Sequence, residues 1–238
     1  MKKYYKIAGL TVEMDSFGKT VAQAEAYSIS DVDMPDVYIE NSSKEYLGKY
    51  PNVSDDDCEY IYTGANFYKQ LINYNGIMLH SSAVVMNGKA DLFAAPCGTG
   101  KSTHTSLWLQ MFGENAYILN DDKPAIRLED GVFFAYGTPW SGKTNQNVNV
   151  RVPIGGICII SRGKYNEIVR IHGKEAIIGI YSQTLHPQNE KYIDKVFSLL
   201  EVLINSIPIW RLKCNMELEA AKVAYEAMSG MKLDRDKF

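Results

Sequence analysis

The sequence has no long hydrophobic run, no excess of basic charge and little cysteine, and each shortage removes a class of function. Charges interrupt every apolar stretch well short of the roughly 20 residues that a bilayer-spanning helix needs, so no membrane partner is expected. Lys and Arg number 25 against 28 Asp and Glu, a net charge of −3. Nucleic-acid binders usually carry a basic stripe or patch, and no such cluster is visible. The four cysteines, Cys58, Cys97, Cys158 and Cys214, form no C-x-x-C pair and have no histidine at metal-ligand spacing. Reduced thiols in a cytoplasmic protein are the expectation. The opening Met1-Lys2-Lys3-Tyr4-Tyr5-Lys6 is basic but lacks the apolar core and small-residue cleavage site of a secretory leader.

What is there is an ordinary globular balance: 238 residues, 46% hydrophobic and 22% charged. That is enough for one well-packed α/β domain. Residues 1–62 are read as a β-rich N-terminal subregion. Tyr5, Ile7, Leu10, Val12 and Met14 suggest one strand broken at Gly9, and Val37-Tyr38-Ile39 suggests another. The polar runs Asn41-Ser42-Ser43-Lys44 and Ser54-Asp55-Asp56-Asp57 are read as solvated loops. Residues 63–238 form the main domain, in one compact unit with the first. Thr63 is positioned to cap a helix through Tyr74 that ends at Gly76.

Beyond Ile77 the pattern changes to short apolar runs. Met78-Leu79-His80, Ala83 to Met86 and Asp91 to Ala95 read as strands, and Asn87-Gly88 marks a two-residue hairpin. Strand-like runs follow at 117–119, 125–128, 132–136 and 156–160, with Glu129-Asp130-Gly131 as a hairpin turn. Apolar residues from Ile193 to Ile204 recur at helical spacing. Ile207 to Leu212 reads as a strand that Pro208 starts or places at an edge. Asn215 is expected to cap a last helix carrying Leu218, Ala221, Tyr225 and Met228.

The segment richest in chemistry is Ala95-Pro96-Cys97-Gly98-Thr99-Gly100-Lys101-Ser102. It follows the phosphate-loop pattern G-x-x-x-x-G-K-[ST], with Ala95 in the first glycine position. An apolar strand precedes it, and a helix from Ser102 to Phe112 is expected after it. Gly98 and Gly100 allow the backbone angles by which successive N–H groups converge on phosphate oxygens. The helix N-terminus adds its partial positive charge. Lys101 brings a full charge, and the Ser102 hydroxyl is a magnesium ligand type. Gly98, Thr99, Gly100, Lys101, Ser102 and Thr103 are therefore the candidate nucleotide-binding residues.

A second signal is the apolar run Tyr117-Ile118-Leu119 ending in Asn120-Asp121-Asp122. A strand parallel to the first would bring both carboxylates beside the phosphates. One would hold Mg²⁺ and the other would accept a hydroxyl proton. Adjacent carboxylates repel unless a cation separates them, which suits a metal site. His80 ends a strand upstream of the loop, and His104, one turn into the helix, is expected to pack. Trp140 and Lys143 are candidates to flank a substrate or nucleotide pocket. Arg151 is a candidate clamp on the transferred phosphate, since arginine holds oxyanions bidentately.

Leu79-His80-Ser81-Ser82-Ala83, then a hairpin, then Phe93 to Thr103, then Asn120-Asp121-Asp122, resembles the nucleotide-binding core shared by HPr kinase/phosphorylase and ATP-dependent phosphoenolpyruvate carboxykinase. Gly137 to Gly142, the strand around Ile157 and the stretch Ile207 to Cys214 are similar to HPr-kinase-related proteins encoded with peptide-modification systems. The resemblance covers about residues 77–228. It implies a mixed β-sheet P-loop fold with helices packed on the sheet, ATP with Mg²⁺ or Mn²⁺, and a hydroxyl acceptor. By the resemblance, Gly98 to Thr103 wrap the triphosphate, Ser102 binds the metal, and Asp121 and Asp122 divide the ligand and base roles in an order left open. It also implies a functional His80, beside a second metal or beside the transferred group. Ala95 and Pro96 depart from the family's usual residues, and its longer signature after the acidic pair is missing, so phosphorolysis is not carried over.

The function these features imply is a cytoplasmic ATP-dependent kinase moving the γ-phosphoryl group to a hydroxyl of a peptide, a protein serine or a small molecule. A homo-oligomer is compatible with the sequence. Two alternatives remain: a nucleotide-binding regulatory or maturation protein with little turnover, and a carboxykinase-like lyase, which the short chain disfavours.

Overall fold

The computed structural model describes residues 3–30, 32–40, 52–186 and 189–233. The polar stretch 41–44 lies outside them. The chain opens with a hairpin of β1 (Lys3–Ile7) and β2 (Leu10–Met14). Ala8 and Gly9 form its turn at φ +50° and +76°. The expected single broken strand is thus two strands folded back on each other. Buried positions switch from odd (Tyr5, Ile7) to even (Leu10, Val12, Met14) across the turn, and the hairpin register puts all five on one face. After α1 (Gly18–Ala24), β3 (Ser28–Ile29) and β4 (Val37–Ile39) complete a four-stranded sheet ordered β3-β1-β2-β4.

The helix α2 (Asp55–Leu71) is capped by Ser54, nine residues before the expected cap Thr63 (63 − 54 = 9). Ser54 Oγ accepts the Asp57 N–H at 3.1 Å. The three aspartates read as loop form the first turn, where negative charge meets the positive end of the helix. Thr63 sits mid-helix, its hydroxyl bonded to the Glu59 carbonyl. The helix runs through the 62/63 boundary and joins the two regions: Tyr60, Phe67, Tyr68 and Leu71 pack with Tyr5, Val12, Ala125, Tyr136 and Trp140 in one core.

The remaining strands are β5 (Gly76–Met78), β6 (Ser81–Met86), β7 (Lys89–Ala94), β8 (Ala116–Asp122), β9 (Ala125–Glu129), β10 (Val132–Tyr136), β11 (Arg151–Arg162), β12 (Glu167–Ile171) and β13 (Ile209–Cys214). The helices are α3 (Lys101–Phe112), α4 (Gly173–Tyr181), α5 (Glu190–Ser206) and α6 (Leu218–Ser229). Among the described residues these strands make one nine-stranded mixed sheet, ordered β5-β9-β10-β11-β7-β6-β8, with β13 joining β11 and β12. The expected hairpins at Asn87-Gly88 and Asp130-Gly131 are present, with positive φ at all four positions. The last helix starts three residues beyond Asn215 (218 − 215 = 3), and Asn215 Oδ1 accepts the N–H of Glu217 at 3.1 Å.

Both faces of the sheet are covered, and the burial alternates with period two. Val84, Phe93, Cys158 and Leu212 face α3 and α6. Their neighbours Ala83, Leu92, Ile157 and Ile209 face α4 and α5. Strand β6 runs antiparallel between β7 and β8, so β8 points the same way as β7 although the two never touch. Strands β11 and β13 are also parallel to β7. The C-terminal ends of β7, β8, β11 and β13 therefore meet at one end of the sheet, together with the start of β6. No helix among the described residues is long and apolar enough to cross a membrane, and all four cysteines are free.

Candidate active site

At that end of the sheet the chain leaves β7 at Ala94 and enters α3 at Lys101. Gly98 has φ +75° and Gly100 φ +120°, conformations that a side chain resists. Gly100 is the N-cap, and no side chain caps the helix. The N–H groups of the first turn thus lack a side-chain acceptor, an arrangement that suits an anion. Ala95 is buried and absent from the positive-φ positions, so its methyl group replaces the usual glycine without strain.

Two carboxylates meet this loop from β8, in separate roles. Asp121 accepts the Ser102 hydroxyl on Oδ1 and the Thr144 hydroxyl on Oδ2, both at 2.9 Å. It is 3% exposed, so these oxygens are nearly desolvated. Asp122 faces the other way. Its Oδ1 lies 3.0 Å from His80 Nε2, and its Oδ2 lies 2.5 Å from Lys123 Nζ. Burial alone would raise its pKa; the His80 hydrogen bond and the Lys123 charge outweigh burial and hold the carboxyl well below the usual range. Asp122 also has φ +99°, which only the surrounding structure can enforce.

Lys101 is buried beneath the loop. Its Nζ donates to the Ala95 carbonyl at 2.9 Å and lies 3.0 Å from His80 Nε2. Burial lowers its pKa, and the charge of Asp122 opposes that shift. One imidazole nitrogen thus serves two partners. It accepts from Lys101 in one tautomer and donates to Asp122 in the other.

His104 packs, as expected: it is 2% exposed, its ring lies 4.5 Å from the Phe93 ring, and its Nε2 accepts from Trp108 Nε1 at 3.3 Å. Burial pushes its pKa down to about 4, so the ring is neutral near pH 7.

The other expected residues divide. Lys143 lines the cavity of about 370 Å³ that also contacts Gly98, Lys101, Ser102, Asp121 and Asp122. Trp140 does not. It is fully buried, stacked 5.0 Å from Phe67, with Nε1 donating to Thr63 Oγ1 at 3.2 Å. Its indole belongs to the core against α2, and the expectation of a pocket wall is corrected. Arg151 is also corrected. It starts β11, where it pairs with Glu129 at 2.6 Å and lies over the Phe134 ring. The loop stands at the other end of that strand, about 35 Å away at 3.3 Å per residue.

Arginine does reach the loop, from a position the sequence reading missed. Arg162 ends β11, and its guanidinium donates to the Gly98 carbonyl at 2.5 Å and the Thr99 carbonyl at 3.3 Å. Thr144, on Asp121, and Lys123, on Asp122, were missed as well. The available signal was positional: a strand over 156–160, parallel to the loop strand, delivers the residue just past its end to the loop.

Metal fit can be judged from the donors. Among the described residues no group of three or more His, Cys, Asp or Glu is placed to hold an ion. Ser102 Oγ and Asp121 instead place two hard oxygen donors side by side, a pair that fits Mg²⁺, an ion that usually keeps its waters and takes substrate phosphate oxygens.

No protein-family model and no curated protein matches the chain. Among solved structures, the HPr(Ser) kinase/phosphatase from Coxiella burnetii is similar at a TM-score of 0.31 and 10% identity, over 52% of this chain and 93% of that one.

Proposed function

We propose that the protein is an ATP-dependent phosphotransferase that moves the γ-phosphoryl group to a hydroxyl of a peptide, a protein serine or a small molecule. The observation that carries this reading is the split of the acidic pair: Asp121 is bonded to Ser102 of the loop, and Asp122 to His80. A binding loop alone needs the first contact and not the second.

In this reading the first-turn N–H groups of α3 and Lys101 hold the phosphates. Ser102 and Asp121 would hold a magnesium ion, which when bound neutralises phosphate charge. Lys101 leaves the Ala95 carbonyl and His80 for phosphate oxygens, and His80 Nε2 then carries its proton toward Asp122. Asp122, held ionised, accepts the hydrogen bond of the incoming hydroxyl and aligns it. Phosphoryl transfer passes through a loose transition state, so alignment and charge stabilisation contribute more than early proton removal.

The test is label transfer from γ-labelled ATP to water and to a panel of serine peptides. The wild type should transfer label, and Lys101→Ala and Asp122→Asn should lower the rate at least ~100-fold. Transfer by Lys101→Ala at the wild-type rate would contradict the assigned roles. A wild type that binds ATP and never turns over would make the protein a nucleotide-responsive regulator instead.

A further inference from the structure

Strand β11 overshoots its neighbour. Ile159 pairs with Ala94, the last residue of β7, and β11 continues three residues further to Arg162 (162 − 159 = 3). This overhang, about 10 Å at 3.3 Å per residue, is held from its other edge. There Ile160, Ser161 and Arg162 pair with Leu212, Lys213 and Cys214 of β13. The N–H of Gly163 then donates to the Cys214 carbonyl at 2.8 Å. The backbone of Arg162 is therefore fixed beside the loop from Ala95 to Ser102, although the residue itself is exposed.

The contact that Arg162 makes has a particular form. Nε and Nη2, the two donors on one edge of the guanidinium, reach two successive carbonyls, Thr99 at 3.3 Å and Gly98 at 2.5 Å. In a trans peptide the C=O and the N–H that follows it point in opposite directions. Holding the Thr99 carbonyl therefore turns the Gly100 N–H away from Arg162. Among the described residues no acceptor meets that N–H. Holding the Gly98 carbonyl does the same for the Thr99 N–H, which donates to the Pro96 carbonyl at 3.3 Å. The peptides concerned are flanked by Gly98 and Gly100, and glycine leaves a peptide group free to adopt either orientation. Among the described residues, no group other than Arg162 donates to these two carbonyls.

Resting on the phosphotransferase reading above, we infer that Arg162 is a positioning residue, whose fork sets two peptide groups of a glycine loop before the anion arrives. The Gly100 N–H then joins those of Lys101 and Ser102 on the ligand side. Ordering the loop in advance lowers the cost of ordering it on binding. The fork and not the charge performs this role. A lysine keeps the charge, but a single ammonium on a flexible stem does not reproduce two parallel bonds in one plane.

The experiment is calorimetric titration with inorganic tripolyphosphate in the presence of Mg²⁺, on wild type, Arg162→Lys and Arg162→Ala. Hydrogen exchange of the Thr99 amide is followed in the same three proteins without ligand. The wild type should bind. Arg162→Lys should bind about tenfold more weakly although its charge is unchanged, and Arg162→Ala should be little weaker than Arg162→Lys. Both variants should exchange the Thr99 amide faster than the wild type, with the midpoint of urea denaturation unaltered. Wild-type affinity in Arg162→Lys overturns the inference and leaves Arg162 as a charge alone. Weakened binding with unchanged Thr99 exchange, or weakened binding that follows a lowered denaturation midpoint, overturns it as well. In each of these cases the wild type still binds, and the loop reading stands. Absence of binding by the wild type overturns the loop reading, and this inference with it.

Discussion

Single residues in this protein act through what surrounds them, and Asp91 illustrates it outside the site. It lies on β7 between Val84 of β6 and Gly156 of β11. Burial raises its pKa from 3.8 to about 7, against the opposing charge of Lys89. The unfolded chain releases this proton near pH 4 and the folded chain near pH 7. Folding therefore takes up a proton in that window, and the stability contributed by neutral Asp91 is lost as pH rises through it. His104 has the opposite sign: its pKa is lowered, and its stability is lost as pH falls from 6.5 toward 4. The comparison is therefore between wild type and Asp91→Asn by urea denaturation at pH 4.5 and 7.5. The variant should gain ~2 kcal/mol relative to the wild type at the higher pH; a pH-independent difference would contradict the assignment. At this scale the loop residues and the acidic pair were legible because their types and spacing suffice. Arg162 and Thr144 were not, since their hydrogen bonds to Thr99 and Asp121 span 63 and 23 residues of sequence. Trp140 was misplaced because an aromatic beside glycines reads the same whether it lines a pocket or a core.

At the scale of elements, the segment after β10 is held by backbone. Gly137 N donates to the Val150 carbonyl, and Val148 N donates to the Leu119 carbonyl of β8. A Cβ on Gly137 would sit 1.9 Å from the Val148 carbonyl oxygen, a contact no rotamer relieves. Gly137→Ala should therefore destabilise the fold by about 3 kcal/mol and weaken nucleotide binding, because this segment carries Thr144 to Asp121. Chemical denaturation together with ATP titration checks both; unchanged stability would show that the segment is not so tightly pinned. Elements with strong local signals were legible: the Asn87-Gly88 hairpin, α3 and the amphipathic α5. The start of α2 was misread because three acids look like solvated loop until they are recognised as the first turn of a helix. The helix α4 and strand β12 were missed; each is short, and their burial is partial.

For the whole molecule, four co-directional strands deliver the loop from Ala95 to Ser102, the acidic pair, Arg162 and the Cys214 end to one end of the sheet, the usual place for a ligand in an α/β fold. The mixed character of the sheet was legible in the alternation of hairpin turns and helices. The insertion of β6 between β7 and β8 was not, because strand order depends on long-range pairing that no local pattern encodes. That insertion sets how far the acids stand from the loop. The central claim is that Ser102 and Asp121 together couple a divalent ion to a bound triphosphate, and the most direct test is ATP affinity measured with and without Mg²⁺ in wild type and Asp121→Asn. The wild type should bind at least tenfold more tightly with the metal, and the variant should lose that gain. A metal gain of the same size in Asp121→Asn, or no ATP binding by the wild type, would contradict the account.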